Sequence, residues 1–290
     1  MTIRDILLPL LSYPAATTTD SVEKAVAVAS GLGAHIVGAT FELQIRSPVG
    51  LYAHPAHIGG MFAAESRKSA SNARDLVAAF DDICARKGTM QRGVAYEHAI
   101  EQCAPAEVAH VLVDHARLRD LSIFPLNAED PDQRSIVEAL IFESGRPVLL
   151  LPEGATRQLP SSFDRVAVAW DHSRPAARAV ADALPMLRAA KQVHVVTFAD
   201  EKRMHRPDSG VELCKHLARH GAEVTFDKVS AKGRAIGDAF PWEWAFRTRV
   251  GTALAARRHP CSTAFVHARA RRRCSRRFRP RCFARPPSDH

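Results

Sequence analysis

The chain has 290 residues, 46% of them hydrophobic and 24% charged, ordinary globular values that exclude a disordered, collagenous or coiled-coil chain. The length favours two domains. Its net charge of +9 invites a nucleic-acid reading until the charge is located: residues 241–290 hold 13 Arg, no Lys and only Glu243 and Asp289 as acids, a local +11 that leaves residues 1–240 at −2. No stretch approaches the length of a membrane span, and the early apolar run 6–11 is broken by Pro9 and preceded by Asp5, so neither a span nor a signal peptide is expected and the expected location is the cytoplasm. Six Cys without a C-x-x-C pair give no disulfide framework and no zinc signature, and read as reduced thiols.

In chain order, residues 3–10 form an apolar run of the kind found in buried parallel strands, and Asp20 is placed to cap a helix through Ala25, Val26 and Ala29 that ends at Gly31 and Gly33. A second strand is predicted over 36–41. After a loop rich in Pro, Gly and His (47–60), Leu76, Val77, Phe80, Ile83 and Cys84 recur at helical spacing within a helix of about 63–85. Then follow a strand at 93–96, a helix at 105–118, a strand at 121–125, a helix at 135–142 and a strand at 147–151. Five strands separated by helical crossovers predict a parallel, doubly wound sheet, because parallel neighbours need such crossovers.

The same order restarts after a Pro, Gly and Ser-rich linker at 153–163. Strands are predicted at 164–170, 192–198 and 222–229, with helices at 175–189 and 211–220 between them. Leu11 aligns with Asp171, and Thr40-Phe41 with Thr197-Phe198, an internal repeat that fits duplicated domains. Gly233-Arg234-Ala235-Ile236-Gly237-Asp238-Ala239 opens a further crossover helix, after which the pattern fails. The expected organisation is an α/β chain of two tandem doubly wound, Rossmann-like domains: 1–152 complete, 164–239 truncated, and an Arg-rich tail at 240–290.

With Val166-Ala167-Val168-Ala169-Trp170-Asp171-His172-Ser173-Arg174-Pro175, Ala179, Ala183-Leu184-Pro185, Gly233-Arg234-Ala235-Ile236 and Arg146-Pro147-Val148-Leu149-Leu150 in view, residues 3–239 resemble a tandem universal stress protein of the UspA family. The resemblance implies two nucleotide-binding-like domains, a non-catalytic stress-response role, and a homodimer or an intramolecular domain pair. It also implies an adenosine contact from the Asp that ends strand one and a glycine loop after strand four for the phosphates of ATP or AMP. Glycine lets the backbone approach phosphate, and amides at a helix start supply the anion site. Here Asp171 and Gly233 are the two cofactor-binding candidates. The first half departs from the pattern: Leu11-Ser12 stands where the Asp would be, and there is no Gly from Val94 to Ser144, so that Phe124-Pro125-Leu126-Asn127 replaces the loop's start. The second half keeps Asp171, but Gly251 is its only glycine after Gly237. Binding of ATP or AMP is therefore expected to be weak or absent. Asp171 has a second reading, as a cap for the helix that follows.

The tail has Arg without Lys, as a shifted reading frame of GC-rich coding sequence tends to produce, and the preferred reading is a frame disruption near Ala239. The alternative function is a nucleic-acid-associated module acting through Arg271, Arg272, Arg273, Arg276 and Arg277, since Arg clusters neutralise phosphates; such charge carries no sequence specificity, so that binding is expected to be nonspecific. No G-x-S-x-G, H-E-x-x-H, Walker loop or Rossmann glycine triplet occurs, and no enzyme is expected. No metal site is expected: His54 and His57 lack a third ligand nearby, and His259, Cys261, His267, Cys274 and Cys282 are irregularly spaced. Cys84, Cys103 and Cys214 read as small, buried apolar side chains.

Overall fold

A computed structural model describes residues 2–46, 56–90, 95–127, 129–153, 164–198, 208–229, 252–254 and 264–266. They form one ten-stranded sheet. The first half contributes β1 (Asp5–Leu10), β2 (His35–Leu43), β3 (Tyr96–Cys103), β4 (Leu121–Leu126) and β5 (Val148–Pro152), joined by α1 (Thr19–Leu32), α2 (Ala56–Met90), a 3-10 turn leading into α3 (Val108–Arg117), and α4 (Pro131–Glu143). The second half contributes β6 (Arg165–Ala169), α5 (Arg174–Ala189), β7 (Gln192–Phe198), α6 (Ser209–Arg219), β8 (Val224–Val229), β9 (Thr252–Leu254) and β10 (Ala264–Val266). The spatial order is β3-β2-β1-β4-β5-β10-β9-β6-β7-β8. Numbered from its own first strand, each half has the order 3-2-1-4-5 from the outer edge inward. All ladders are parallel except the seam, where β10 runs antiparallel to β5 through Ala264 opposite Leu150, Phe265 opposite Leu149 and Val266 opposite Val148.

The burial follows from the apolar strands. Every residue of β1 after Asp5 is buried, as a parallel strand covered on both faces must be. Ile6, Leu8 and Leu10 meet α1 and α2 in a core that continues through Leu149 and Leu151 into Val166, Val168, α5 and α6. Leu7, Phe41, Phe124 and Val148 face the opposite way, against Leu112 of α3 and Leu140 of α4. Gly38 of β2 is where α2 comes closest: a Cβ there would lie 3.1 Å from both Leu10 Cδ1 and Phe80 Cε1. The repeat extends to single side chains, for Thr40 on β2 and Thr197 on β7 both bury hydroxyls that have no hydrogen-bond partner among the described residues.

Four expectations are corrected. The third strand is Tyr96–Cys103, not 93–96; Glu97, His98, Glu101 and Gln102 make it polar and mostly exposed, the dress of a sheet edge, which hides the apolar run that marks inner strands. The helix before it is longer than 63–85, spanning Ala56–Met90. Thr18 rather than Asp20 caps α1, its hydroxyl accepting from Ser21 N–H, and Asp20 sits in the first turn, paired with Lys24 at 2.6 Å. Finally, the second half does not stop after three strands: β9 lies beside β6 through Val166 opposite Thr252, and β10 lies beside β9. Three residues each are too few to show a sequence period, which is why they are not visible in the Arg-rich segment.

Two outcomes are expected. Phe80→Ala, which empties a fully buried ring site between Gly38 and Tyr96, costs about 3–5 kcal/mol in urea unfolding. A chain ended after residue 239 lacks β9 and β10, leaves β5 and β6 with bare edges, and elutes as oligomers under light scattering where the full chain does not.

Candidate functional site

In an open parallel sheet the ligand crevice lies outside the carboxyl ends of the strands, where the order reverses on either side of strand one. In the first half this is the space beyond β1 and β4, and its polar groups are turned inward on the protein. Ser12 Oγ, which follows β1, donates to the Phe41 carbonyl at 2.5 Å and meets Ser69 Oγ at 2.9 Å. Ser69 Oγ accepts from Leu43 N–H, Ser66 Oγ accepts from Ile45 N–H, and Asn72 Nδ2 donates to the Ser12 carbonyl. Ser66, Ser69 and Asn72 recur every third residue on α2, so one stripe of that helix binds the backbone that runs out of β1 and β2. Tyr13 packs partly buried against the core beside Ile45 and Leu126. Desolvation, and then the neighbouring Glu65 carboxylate, raise the phenol's pKa above its ordinary value and keep it protonated.

The turn from β4 into α4 is the place where a phosphate would meet backbone amides. Among the described residues four of those amides are bonded to side chains of the turn. Asn127 N–H donates to Gln133 Oε1 at 2.8 Å, Glu129 N–H to Asn127 Oδ1 at 3.1 Å, and Asp130 Oδ1 accepts from both Asp132 N–H and Gln133 N–H. Pro131 at the helix start has no N–H to offer. The carboxylates of Glu129, Asp130 and Asp132 around this turn repel an anion as well. Glu153, just past β5, adds a further acid, its Oε1 accepting from Ser21 Oγ at 3.3 Å.

In the second half, Asp171 follows β6, and its Oδ1 accepts from Ser173 N–H at 2.9 Å. The cap of α5 is Ser173, whose Oγ accepts from Ala176 N–H at 3.2 Å, so the reading of Asp171 as the helix cap is corrected: it shapes the turn one step earlier. Between them His172 adopts φ +58°, a left-handed conformation uncommon for a residue with a Cβ, and sets its ring edge-on to Trp170 at 5.9 Å. Trp170 Nε1 donates to Ser209 Oγ at the start of α6, at 3.2 Å, fixing the indole under the strand end. Gly233 and the five tail arginines Arg271, Arg272, Arg273, Arg276 and Arg277 lie outside the described residues, as do His54, His259, Cys261, His267, Cys274 and Cys282; His57 falls within α2.

Among the described residues no group of three or more His, Cys, Asp and Glu is placed to hold a metal ion, and no helix is long and apolar enough to cross a membrane. Cys84 on α2 and Cys103 at the end of β3 are buried, and Cys214 on α6 is half-buried. Burial pushes all three thiols up, assisted by Asp81 at Cys84, Glu107 and then Glu101 at Cys103, and Asp227 at Cys214; Cys84 rises from 9.0 to about 12. No motif or spacing singles out Gln133 or Glu153. The Ser66, Ser69, Asn72 spacing was there to find, a polar stripe on the inward side of an otherwise apolar helix face.

No protein-family model and no curated protein matches the sequence. Among solved structures, a universal stress protein from Archaeoglobus fulgidus DSM 4304 superposes with a TM-score of 0.63 at 14% identity, over 91% of this chain and 96% of that one. A putative universal stress protein from Pseudomonas aeruginosa UCBPP-PA14 aligns with a TM-score of 0.49 at 13% identity, over 91% and 93% of the two chains. The chain has the α/β, Rossmann-like fold of the archaeal protein.

The thiol of Cys84 yields a pH prediction. The folded chain holds this proton up to about 12, whereas an unfolded thiol loses it near 9.0, so the buried thiol's contribution is whole below pH 9 and is lost as pH rises toward 12. Iodoacetamide at pH 8, read by peptide mass spectrometry, is expected to label Cys84 only as the chain unfolds, and the fall in stability between pH 9 and 11 is expected to be shallower in Cys84→Ala.

Proposed function

We propose that this chain is a non-catalytic protein of the universal stress class, descended from a tandem of adenine-nucleotide-binding domains, whose first half no longer holds a nucleotide. The observation that carries this reading is the β4–α4 turn, where the side chains of Gln133, Asn127 and Asp130 accept from the amides of Asn127, Glu129, Asp132 and Gln133, four donors that a phosphate would otherwise draw on. An incoming triphosphate has to break these bonds and approach Glu129, Asp130 and Asp132, and both steps oppose binding. In the second half Asp171 keeps the position of an adenosine ligand, with the turn around it fixed by Ser173 and the Trp170–Ser209 bond. Any nucleotide is accordingly held by the second half alone. The two halves serve as each other's partner through the β5–β10 seam, which supports a protein that acts as an intramolecular pair.

Calorimetric titration of the full chain with ATP, AMP and cyclic AMP tests this. Weak or no heat is expected with ATP, and any binding of AMP is expected to disappear in Asp171→Ala while persisting in Gln133→Ala. A submicromolar ATP affinity, or binding abolished by changes at Asn127 and Gln133 alone, overturns the assignment of the first half.

A further inference from the structure

The exposed end of α6 carries two imidazoles that the nucleotide reading does not use. His216 and His220 are four residues apart, one turn of helix, so their side chains rise on the same face. Both are exposed, and their ring centroids are 4.7 Å apart with the planes at 70°. This spacing matches chelation. With metal–nitrogen bonds of about 2.0–2.1 Å, imidazole centres lie about 3.2 Å from an ion, and cis angles from square-planar to tetrahedral put two such centres about 4.5–5.2 Å apart. The rings need only rotate about their own side-chain bonds to aim one nitrogen each at a common point. The position also favours a cation: the pair sits on the last turn, at the negative end of the helix dipole. One turn earlier, Glu212 faces the same way, and its Oε1 holds Lys215 Nζ at 2.8 Å, so that lysine's charge is neutralised within the same surface. Arg219 is the remaining cation on this turn.

We propose that His216 and His220 form a two-donor binding site for a divalent first-row transition metal of the imidazole-preferring kind, nickel, copper or zinc. With two protein donors, the other coordination positions stay with water, and the ion exchanges freely with the solution. A hard cation such as magnesium or calcium is not retained, because it takes oxygen ligands. The site is independent of the crevice beyond β6 and of any nucleotide.

Untagged full-length chain titrated with nickel chloride at pH 7.5 and followed by calorimetry tests the site, with H216A, H220A, the double variant and H110A alongside. His110 is an exposed histidine on α3 with no second imidazole one turn away and serves as the control. Because a chelate loses its advantage when either arm is removed, each single variant is expected to weaken the site about tenfold or more, and the double variant to weaken it little further. H110A is expected to match the unaltered chain, and lowering the pH to 5.5 to abolish the site, since imidazole must give up its proton to bind metal. Both side chains are exposed, so urea midpoints without metal are expected to be unchanged. Superimposable titrations of the unaltered chain and the double variant overturn the proposal. So does loss in only one of the two single variants, or binding that survives at pH 5.5.

Discussion

A strand that is apolar on both faces and lies parallel to its neighbours has to be flanked on both edges and covered on both sides, and two strands of this chain are of that kind. β1 is held between β2 and β4, β6 between β7 and β9. Everything else follows from meeting that requirement twice with one polypeptide. The helices α1, α2, α5 and α6 share one continuous apolar layer, so that Leu149 and Leu151 of the first half and Val166 and Val168 of the second belong to the same core. The antiparallel seam between β5 and β10 completes the arrangement by giving each half's innermost strand a partner. Among the described residues β3 and β8 are the sheet's edges, and both mix charged and polar residues among the apolar ones, Glu97, His98 and Glu101 on one, Asp227 and Lys228 on the other.

The polar groups at the strand ends divide by half. In the first half they are consumed locally: serines of α2 serve the backbone leaving β1 and β2, and Gln133 and Asp130 serve the turn into α4. In the second half the groups after β6 sit on one turn, where Asp171 Oδ1 accepts from Ser173 N–H and the His172 ring lies edge-on to Trp170. Side chains that bind their own backbone in this way hold the strand ends rigidly in place. The contrast between halves is thus chemical rather than architectural, since their sheets have the same order.

Most of the inner sheet was legible because buried parallel strands write themselves as short apolar runs: the strand at 192–198 is found at those residues, and those at 121–125 and 147–151 are displaced by no more than a residue. The edge strand β3 was not, because Glu97, His98 and Glu101 face solvent or side-chain partners and leave no run to see. Strands β9 and β10 fall below the length at which periodicity exists. At the site, Asp171 could be picked out from its place in a repeated pattern, but the exchange of its capping role for a turn-shaping one depends on a single peptide's geometry. The inward-turned polar network of the first half rests on contacts such as Ser12 with Ser69, 57 positions apart, that no local pattern encodes.

The seam also orders events in time. All five strands of the first half lie within residues 5–152, so that half is complete while the chain is still being made, whereas β5 does not meet its outer partner until residues 264–266 exist. At a synthesis rate of about 5–20 residues per second, the intervening stretch takes on the order of ten seconds to emerge. During that interval Val148–Pro152 is an open apolar edge on a folded domain, able to accept a strand from whichever chain presents one first. Neighbouring chains on one message differ in length, and each one grown past residue 152 but short of 264 has β5 exposed and β10 not yet made. Fidelity of the single-chain pairing is therefore a race between the arrival of a three-residue strand in cis and an encounter in trans, and its outcome depends on how fast residues 153–266 are translated.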